Sequence, residues 1–481
     1  MVHDIFPDLD MKKLGKVLSV SIAVYILLYL IAVWVPTEVQ GPTGFVLDLH
    51  FLLGMRFINV VLFGLTGLAT YHLAMRFVED QGYAFLASAL VIISPLANHA
   101  IVAWTHVPVT FFSLLAYIFY LEFLDDGRMR WLAGVAVAAG LVFSMKYSDA
   151  IFLLPIPVHA TLQIFRDRRY DIVRKSVVPA ALLLLVLVPT LFFHASAFGS
   201  VFTTPYHMRP HALPPNDKPN IAVTFDPSRL SSTVPSMLFR FDAGMEMLQR
   251  DVEDFDYRQY KSALFQSSPA LLLGIIGLAL AWSRREDRDL PALAASGSAL
   301  LTLLYGSWIY FSGGWTTNMR YLTPMIPVLA VFASYAVREL EPDWSQVRRL
   351  GVPAAAVSFL GLSGYALMLE PLAAKDMLNA VTFGTEIFLS AGFAAALWKG
   401  DDVFKRAFYV LLGVSVGMAG VMAVTLDNLM LFNGSAGTML MFNADRSLFL
   451  GAVLAVTLAA GLLAVSGHLR RSYGGESIPW K

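Results

Sequence analysis

Long apolar runs recur from one end of the sequence to the other, from VLSVSIAVYILLYLIAVWV near its start to LFLGAVLAVTLAAGLLAVSGHL near its end. A helical run of about 20 apolar residues spans the hydrocarbon core of a bilayer. Only 15% of the residues are charged, against about 25% in a soluble domain. The alternating segments of about ten residues that build a membrane β-barrel are absent. The sequence therefore predicts an all-α polytopic membrane protein.

The apolar runs and the basic residues between them predict about fourteen transmembrane helices. Lys and Arg concentrate in segments such as RDRRYDIVRK and SRREDRDL, whereas alternate segments such as VPTEVQGPTG are poor in them. This alternation predicts a multi-pass protein with both termini in the cytoplasm. We expect it in the plasma membrane, with which the lack of a recognised targeting segment and of cysteines is compatible. The predicted spans are Val17–Val35, Ile58–Phe77, Tyr83–Leu96, Ile101–Leu124, Trp131–Met145, Ala150–Phe165, Ser176–Phe198, Pro269–Ser283, Leu290–Phe311, Tyr321–Val337, Val352–Leu369, Leu378–Trp398, Phe408–Leu426 and Leu448–Leu469.

Residues 199–268 form one long outer loop between predicted spans. The loop begins with TTPYHMRPHALPPNDKPN, whose Pro and Asn residues favour irregular structure. A loop of this length is usually functional or disordered, and we favour a functional loop. Its second half predicts an interfacial amphipathic helix, because apolar residues recur there at helical spacing among charges. These residues are Met247, Val252, Phe255 and Tyr260.

The apolar stretch from Met55 to Pro157 is the centre around which the chain is organised, because a basic residue interrupts it near its end. We expect a transmembrane catalytic module over residues 1–345, which includes the outer loop. The C-terminal helices, residues 346–481, are expected to form a separate module with fewer polar residues.

Several classes of function are excluded by composition and by absent motifs. The formal net charge is zero, so the chain has no basic footprint for nucleic acid. It has no cysteine, which excludes disulfides, thiol catalysis and cysteine metal sites. Walker, dinucleotide-binding and HExxH motifs are also absent. Work driven by nucleotides inside the cell is therefore disfavoured. Nucleotide sugars and ATP are not normally supplied on the outer face, so chemistry there would need a donor that arrives on a lipid.

Two basic residues lie where the charge alternation does not expect them. Lys146, in VFSMKYSDA, lies at the outer end of the fifth span, where a cation is costly unless it is paired. It is either an ion-pair partner of Asp149, a snorkelling lysine, or a counter-ion for a lipid phosphate. Arg320, followed by Tyr321 in NMRYLTP, opens a later span and is either an interfacial anchor or a bidentate phosphate ligand.

Two acids near the first span are candidates for a general base. Glu38 lies just outside that span in VPTEVQGPTG, where it could activate an acceptor hydroxyl, bind a metal, or remain a solvated loop residue. Asp48, in FVLDLH, is the rival acid, and its apolar neighbours predict an interfacial helix.

Four histidines are candidate substrate or metal contacts. His99 and His106 are about two helical turns apart and would share a face if the helix were continuous between them. With Glu38 they could bind a divalent metal ion, although structural histidines are the alternative. His207 and His211 lie in the Pro-rich part of the outer loop and could bond a sugar or phosphate, or be ordinary loop residues.

The segments MRFINVV, IISPLANHAIVAWTHVPVTFF, WLAGVAVAAGLVFSMKYSDA and MRYLTPMIPVL occur in an order that resembles the GT-C superfamily of membrane glycosyltransferases. The resemblance is to its protein-mannosyltransferase-like and aminoarabinose-transferase-like branch, and it covers about a third of the chain. It implies a GT-C-like helix bundle. It also implies transfer of a sugar from a polyprenyl-phosphate carrier on the extracytoplasmic face.

The resemblance also implies roles for individual residues. Lys146 matches the lysine that closes the family's fifth span, and Arg320 with Tyr321 matches its Arg-Tyr pair beside the lipid phosphate. Glu38 stands where the family has a catalytic Asp-Glu pair, but the residue before it is Thr37. His106 stands where the family usually has an acid at the head of the fourth span.

These features predict a polyprenyl-phosphate-sugar-dependent glycosyltransferase, hexosyl or pentosyl, that acts on a protein, glycan or lipid acceptor. No cofactor is implied with certainty, and a divalent metal ion is left open. One alternative is a catalytically silent lipid-binding subunit, which Thr37 and His106 favour. The other is a transporter or flippase for a lipid-linked molecule, which the scarcity of midplane charges disfavours.

Overall fold

The computed structural model shows a helical membrane protein. The residues that it describes are 38–40, 46–100, 105–167, 172–173, 176–201, 227–239, 263–285, 288–307, 320–368 and 371–424. Eight helical segments within these residues are long and apolar enough to cross a membrane, and shorter apolar helices accompany them. The prediction of a polytopic helical membrane protein is therefore confirmed.

The described chain begins with an antiparallel pair of short strands, β1 (Glu38–Gln40) and β2 (Val46–Asp48). This hairpin differs from the purely helical expectation, and it corrects the prediction that Asp48 lies on an interfacial helix. Asp48 ends β2, and the first helix begins at the next residue. The helices that follow are α1 (Leu49–Val78), α2 (Gln81–Ile92), α3 (Leu96–Ala100), α4 (His106–Asp126), α5 (Met129–Met145), α6 (Pro155–Asp167) and α7 (Val177–Phe198).

The second part of the chain continues with helices of very different length. They are α8 (Leu230–Leu238), α9 (Leu264–Ser267), α10 (Leu272–Arg284), α11 (Asp289–Ser307), α12 (Ile326–Arg338), α13 (Trp344–Gln346), α14 (Val352–Met368), α15 (Pro371–Lys399) and α16 (Asp402–Val424). Short 3-10 helices at Tyr147–Leu153, Pro227–Arg229, Pro269–Leu271 and Arg320–Met325 join or extend these elements.

Twelve of the fourteen predicted spans overlap described helices. The remaining two, Val17–Val35 and Leu448–Leu469, lie outside the described residues. Apolar length, which the membrane fixes, predicts where these spans lie, but α1, α15 and α16 begin six to nine residues before the predicted starts Ile58, Leu378 and Phe408. The N-terminus of α2 is set by local chemistry, since the Asp80 side chain accepts hydrogen bonds from the N–H groups of Gly82 and Tyr83.

α12 forms the centre of the described bundle. In the Tyr321–Arg338 span, 94% of the most apolar 18-residue stretch is buried. In the Val177–Ser196 span on α7, only 6% of the corresponding stretch is buried. α12 packs on α10, α2 and α1. Gly274 and Gly277 allow the close approach of α10, because a Cβ at either position would collide with backbone atoms of α12. Small residues at such interfaces are the usual means by which membrane helices pack closely.

Among the described residues of the outer loop, α8 and the short α9 both pack on the bundle. α8 packs against α11, where Gly306 receives the side chains of Val234 and Leu230. A Cβ on Gly306 would lie 2.9 Å from Val234 Cγ2 and 3.0 Å from Leu230 Cδ2. The predicted amphipathic helix around Met247–Tyr260 lies outside the described residues.

Candidate functional site

The candidate site is centred on Lys146, at the point where α5 ends. The Lys146 N–H still donates to the Val142 carbonyl at 2.8 Å, but its own φ of −159° and ψ of 87° are extended. The chain then re-enters helical geometry in the 3-10 helix Tyr147–Leu153, where the Asp149 N–H donates to the Lys146 carbonyl at 3.0 Å. This break turns the side chains of Lys146 and Asp149 toward each other.

Lys146 and Asp149 form a buried ion pair. The Lys146 Nζ donates to Asp149 Oδ2 at 2.8 Å, with the lysine side chain 12% exposed and the aspartate 0% exposed. The Tyr305 hydroxyl, from the last turn of α11, donates to the other oxygen of the same carboxylate. The Ser148 hydroxyl lies 2.7 Å from that Tyr305 oxygen. The carboxylate is therefore held from two elements that are distant in the sequence.

Two tyrosine rings form a platform beside the ammonium group. The rings of Tyr305 and Tyr321 stack with centroids 4.6 Å apart and an interplanar angle of 24°. The Lys146 Nζ lies 4.6 Å from the Tyr321 centroid and 5.3 Å from the Tyr305 centroid. Contacts of this kind attract a cation to the ring faces. The predicted proximity of Lys146 and Tyr321 is therefore present in the structure.

His99 and His106 extend the aromatic platform. Their ring centroids are 5.0 Å apart, and the His106 ring lies 6.4 Å from the Tyr321 ring at 86°. The two histidines belong to separate helices, α3 and α4, so the condition under which they would have shared one helix face is not met. The change of element between them brings the rings together, and residues 101–104 lie outside the described residues.

Apolar side chains exposed on the surface of the protein flank Lys146 in the sequence. Phe143 and Tyr147 are both exposed, and so is Leu154 just beyond the 3-10 helix. In a membrane protein such side chains face lipid. A lysine side chain that is 12% exposed and lies beside exposed apolar side chains suits a ligand that has an anionic head and a hydrocarbon chain.

The packing of α11 against the 3-10 helix fixes Tyr305 relative to Lys146. The Tyr117 hydroxyl lies 3.0 Å from the carbonyl oxygens of both Phe152 and Leu293, which connects α4 to both elements. Gly297 makes room for this contact, because a Cβ there would lie 2.6 Å from the Phe152 carbonyl oxygen and collide with the Tyr117 hydroxyl. The site is thus built on closely packed backbone.

The two candidate acids are paired through their backbones. Glu38 in β1 is the register partner of Asp48 in β2. Their side chains are not among those that the structure describes. The hairpin therefore brings the two residues to adjacent positions, which the sequence did not predict.

Other predicted residues fall partly or wholly outside the described residues. Arg320 begins the 3-10 helix that carries Tyr321, but its side chain is not described. His207 and His211 lie outside the described range. No group of three or more His, Asp or Glu side chains suited to a metal ion occurs in the part of the chain that the structure describes.

The sequence did not point to Ser148 or Tyr305 as members of the site. Tyr305 lies in the largely apolar segment LLTLLYGSW, and its partner Asp149 is 156 residues away. A local pattern contains no signal for such a contact. The sequence did indicate Asp149, three residues after Lys146, as a possible ion-pair partner of that lysine.

Comparison with known proteins places these residues in a family context. Residues 47–193 match the dolichyl-phosphate-mannose-protein mannosyltransferase family. No curated protein matches the chain.

Two crystal structures of ArnT from Cupriavidus metallidurans are structurally similar to the chain, and both have 14% sequence identity to it. The undecaprenyl-phosphate-bound form has a TM-score of 0.42, with 77% of this chain and 64% of that one covered. The apo form has a TM-score of 0.39, with 85% and 77% covered. The chain thus spans less than two thirds of the length of the first ArnT structure.

The family match covers less than a third of the chain, but that part includes α4, α5 and the Lys146–Asp149 pair. It confirms the predicted resemblance to membrane glycosyltransferases of the mannosyltransferase type, and it does so over residues 47–193.

Proposed function

We propose that the chain is an integral-membrane glycosyltransferase that takes a sugar, hexosyl or pentosyl, from a polyprenyl-phosphate carrier. The observation that carries this proposal is the position of Lys146, a partly accessible cation beside exposed apolar side chains. A lipid-linked phosphate offers the matching anion and hydrocarbon chain. The family match over residues 47–193 supports the same reaction class.

In this proposal Lys146, Arg320 and Tyr321 bind the carrier phosphate. A lysine acts as a compact point charge, whereas arginine adds bidentate hydrogen bonds to phosphate oxygens. Tyr321 contributes its ring to the platform under the lysine and follows Arg320 directly in the chain. The two cations would stabilise the negative charge that develops on the departing phosphate.

The transfer step needs a base that faces the anomeric carbon from the side opposite the phosphate. The acceptor hydroxyl oxygen forms the new bond, its proton passes to the base, and the bond between the anomeric carbon and the phosphate oxygen breaks. Glu38 is proposed as this base, with Asp48 beside it, and their backbone pairing supports a shared position. His99 and His106 are proposed to contact the sugar or a divalent metal ion near Tyr321.

The remaining assignments are proposals that the sequence supports. The reaction takes place on the extracytoplasmic face, and both termini lie in the cytoplasm. The outer loop, residues 199–268, selects the protein, glycan or lipid acceptor, and its His207 and His211 contact the sugar or phosphate. Residues 1–345 form the catalytic module, and residues 346–481 form the C-terminal helices.

A catalytically silent lipid-binding subunit is the second candidate, and the position of His106 favours it. The structure has this histidine buried at the head of α4, where the resembling family usually has an acid. The same platform beside Lys146 would then bind a lipid phosphate without transfer.

The test is sugar transfer from radiolabelled polyprenyl-phosphate sugars by membranes that contain the full chain. Wild type is compared with Glu38→Gln and Arg320→Ala, and Arg406→Ala is the matched control because Arg406 lies on the exposed surface of α16. We expect turnover in wild type and Arg406→Ala, and at least a hundredfold loss in the other two variants.

Other outcomes redirect the proposal. Turnover that survives Glu38→Gln would assign the base to Asp48 or His106. Binding of the lipid phosphate without turnover from any donor would support the silent subunit. Absence of both turnover and binding would exclude the lipid-donor reaction.

A further inference from the structure

Asp149 gives Lys146 a counter-ion from its own chain. One carboxylate oxygen accepts the Lys146 ammonium at 2.8 Å, and the other accepts the Tyr305 hydroxyl. The carboxylate is fully buried. A lipid phosphate that binds Lys146 must therefore share this ammonium with a buried carboxylate, or displace the ammonium from it.

The two members of the pair differ in how far they can move. Asp149 has a short side chain on the 3-10 helix Tyr147–Leu153, and Tyr305 holds it from α11. Lys146 has a flexible four-carbon stem and is partly accessible. When a phosphate arrives, the ammonium can shift toward it while the carboxylate stays in place. Phosphate and Asp149 are then two anions that compete for one ammonium.

We propose that Asp149 is a positioning residue that competes with the lipid phosphate for Lys146 and thereby speeds the release of the spent carrier. This inference rests on the proposed function and deepens it. The donor is a phosphodiester with one negative charge. The spent carrier is a phosphate monoester, whose second pKa near 6 gives it close to two negative charges at pH 7. A purely cationic site would retain this product, and the fixed carboxylate offsets that retention.

Tyr305 adjusts the strength of the competition. Its hydroxyl withdraws charge from Asp149 by donating to it, so the carboxylate holds Lys146 less tightly. Loss of this hydroxyl would strengthen the Lys146–Asp149 pair and weaken phosphate binding. The ring stack with Tyr321 would survive a change to phenylalanine, because the stack needs only the ring.

The experiment measures binding of polyprenyl phosphate, without sugar, to the purified full chain in detergent, together with steady-state transfer. Asp149→Asn keeps the shape of the side chain and removes its charge. We expect it to bind polyprenyl phosphate on the order of tenfold more tightly, because a like charge near the ligand is removed. Its kcat and its KM for the donor should both fall, since release of the carrier becomes slower.

Tyr305→Phe should change binding in the opposite direction, to about two- to threefold weaker, as expected for one lost hydrogen bond. In the Asp149→Asn background the same change should have no effect, because the carboxylate on which it acts is gone. A purely structural role for either residue would weaken binding in both variants.

Asp126→Asn is the matched control. Asp126 lies at the far end of α4, about 30 Å along the helix from His106, and it accepts from the Trp131 ring N–H. This variant should bind polyprenyl phosphate as wild type does.

Unchanged or weaker binding by Asp149→Asn would overturn the inference and leave the proposed function standing, provided that wild type binds. Failure of wild type to bind polyprenyl phosphate would remove the proposed function and the inference together. If Asp149→Asn does not fold, Tyr305→Phe remains a test, because unchanged or tighter binding by that variant still overturns the inference.

Discussion

Polar side chains tie both ends of α11 to the rest of the bundle, and the two ends use similar residues differently. At its start, Asp289 lies 3.2 Å from His159 Nε2, and His159 Nδ1 lies 2.8 Å from the Tyr120 hydroxyl. At its end, Tyr305 donates to Asp149, which also holds Lys146. The two networks are about 24 Å apart along the helix.

The networks differ in the charge that they bury. A neutral His159 can accept from Tyr120 and donate to Asp289, and the Asp289 side chain is 37% exposed. At the other end, the fully buried carboxylate of Asp149 is paired with the Lys146 ammonium, which can donate hydrogen bonds but cannot accept them. Buried ion pairs are costly compared with apolar packing. The start of α11 is thus held by a partly exposed pair, whereas its end holds a buried charge pair of the kind that apolar residues can often replace without loss of stability.

The largest expected effect comes from Lys146→Met, which leaves the Asp149 carboxylate buried without its ion-pair partner. Removing one partner of a buried pair costs about 3–5 kcal/mol. We expect a large fall in thermal stability in detergent, together with at least a hundredfold loss of sugar transfer. Full sugar transfer by Lys146→Met would contradict the view that the charge pair at the end of α11 serves function.

The double variant Lys146→Met with Asp149→Leu separates the two effects. Replacing both partners by apolar residues is often neutral for stability. We expect thermal stability to return toward wild type while transfer stays lost. A double variant as unstable as the single one would show that the pair stabilises the fold.

Gly297→Ala should affect both ends of α11, because the new Cβ would displace the helix from Phe152 and Tyr117. Overpacking of this kind typically costs about 1–3 kcal/mol, and we expect transfer to fall as Tyr305 moves away from Asp149. Gly361→Ala is the control, because a Cβ there would meet no atom within 4 Å. Equal stability of the two variants in thermal unfolding would contradict the described packing.

Tyr120→Phe removes one hydrogen bond at the start of α11. We expect a loss of stability of about 1 kcal/mol and unchanged transfer, measured beside Tyr305→Phe. A selective loss of transfer in Tyr120→Phe would show that the start of α11 also takes part in function.

The smallest effect is expected from Asp289→Asn. Its side chain is partly exposed and its partner is a histidine, so the pair should contribute at most about 1 kcal/mol. The thermal unfolding temperature of Asp289→Asn should stay close to that of wild type at both low and high salt. A marked destabilisation would mean that the two ends of α11 are more alike than their exposure indicates.

The membrane spans could be predicted because apolar length is a local property that the bilayer fixes. The hairpin that pairs Glu38 with Asp48 could not, since its strands are only three residues each and have no clear alternation. The predicted spans Tyr83–Leu96 and Ile101–Leu124 already left a gap around His99, but nothing in the sequence indicated that α3 and α4 bring the rings of His99 and His106 together.

The candidate site was predicted in part. The Lys146–Asp149 pair follows from a spacing of three residues across the end of α5, and the link to Tyr321 came from the family resemblance. Tyr305 and Ser148 were missed, because their contact joins positions 157 residues apart and depends on how α11 packs. The roles of Glu38, Asp48 and the histidines remain predictions.

Because the helix breaks directly after Met145, the length of α5 determines where the Lys146 ammonium lies along the bundle. α5 contains 17 residues, which corresponds to about 26 Å from its first residue to Lys146. One inserted residue would move the break by about 1.5 Å and turn it by about 100°, away from the Tyr305–Tyr321 platform. The position of Lys146 along the bundle is therefore set by the length of α5, and insertions there should be far less tolerated than substitutions of exposed residues such as Phe143.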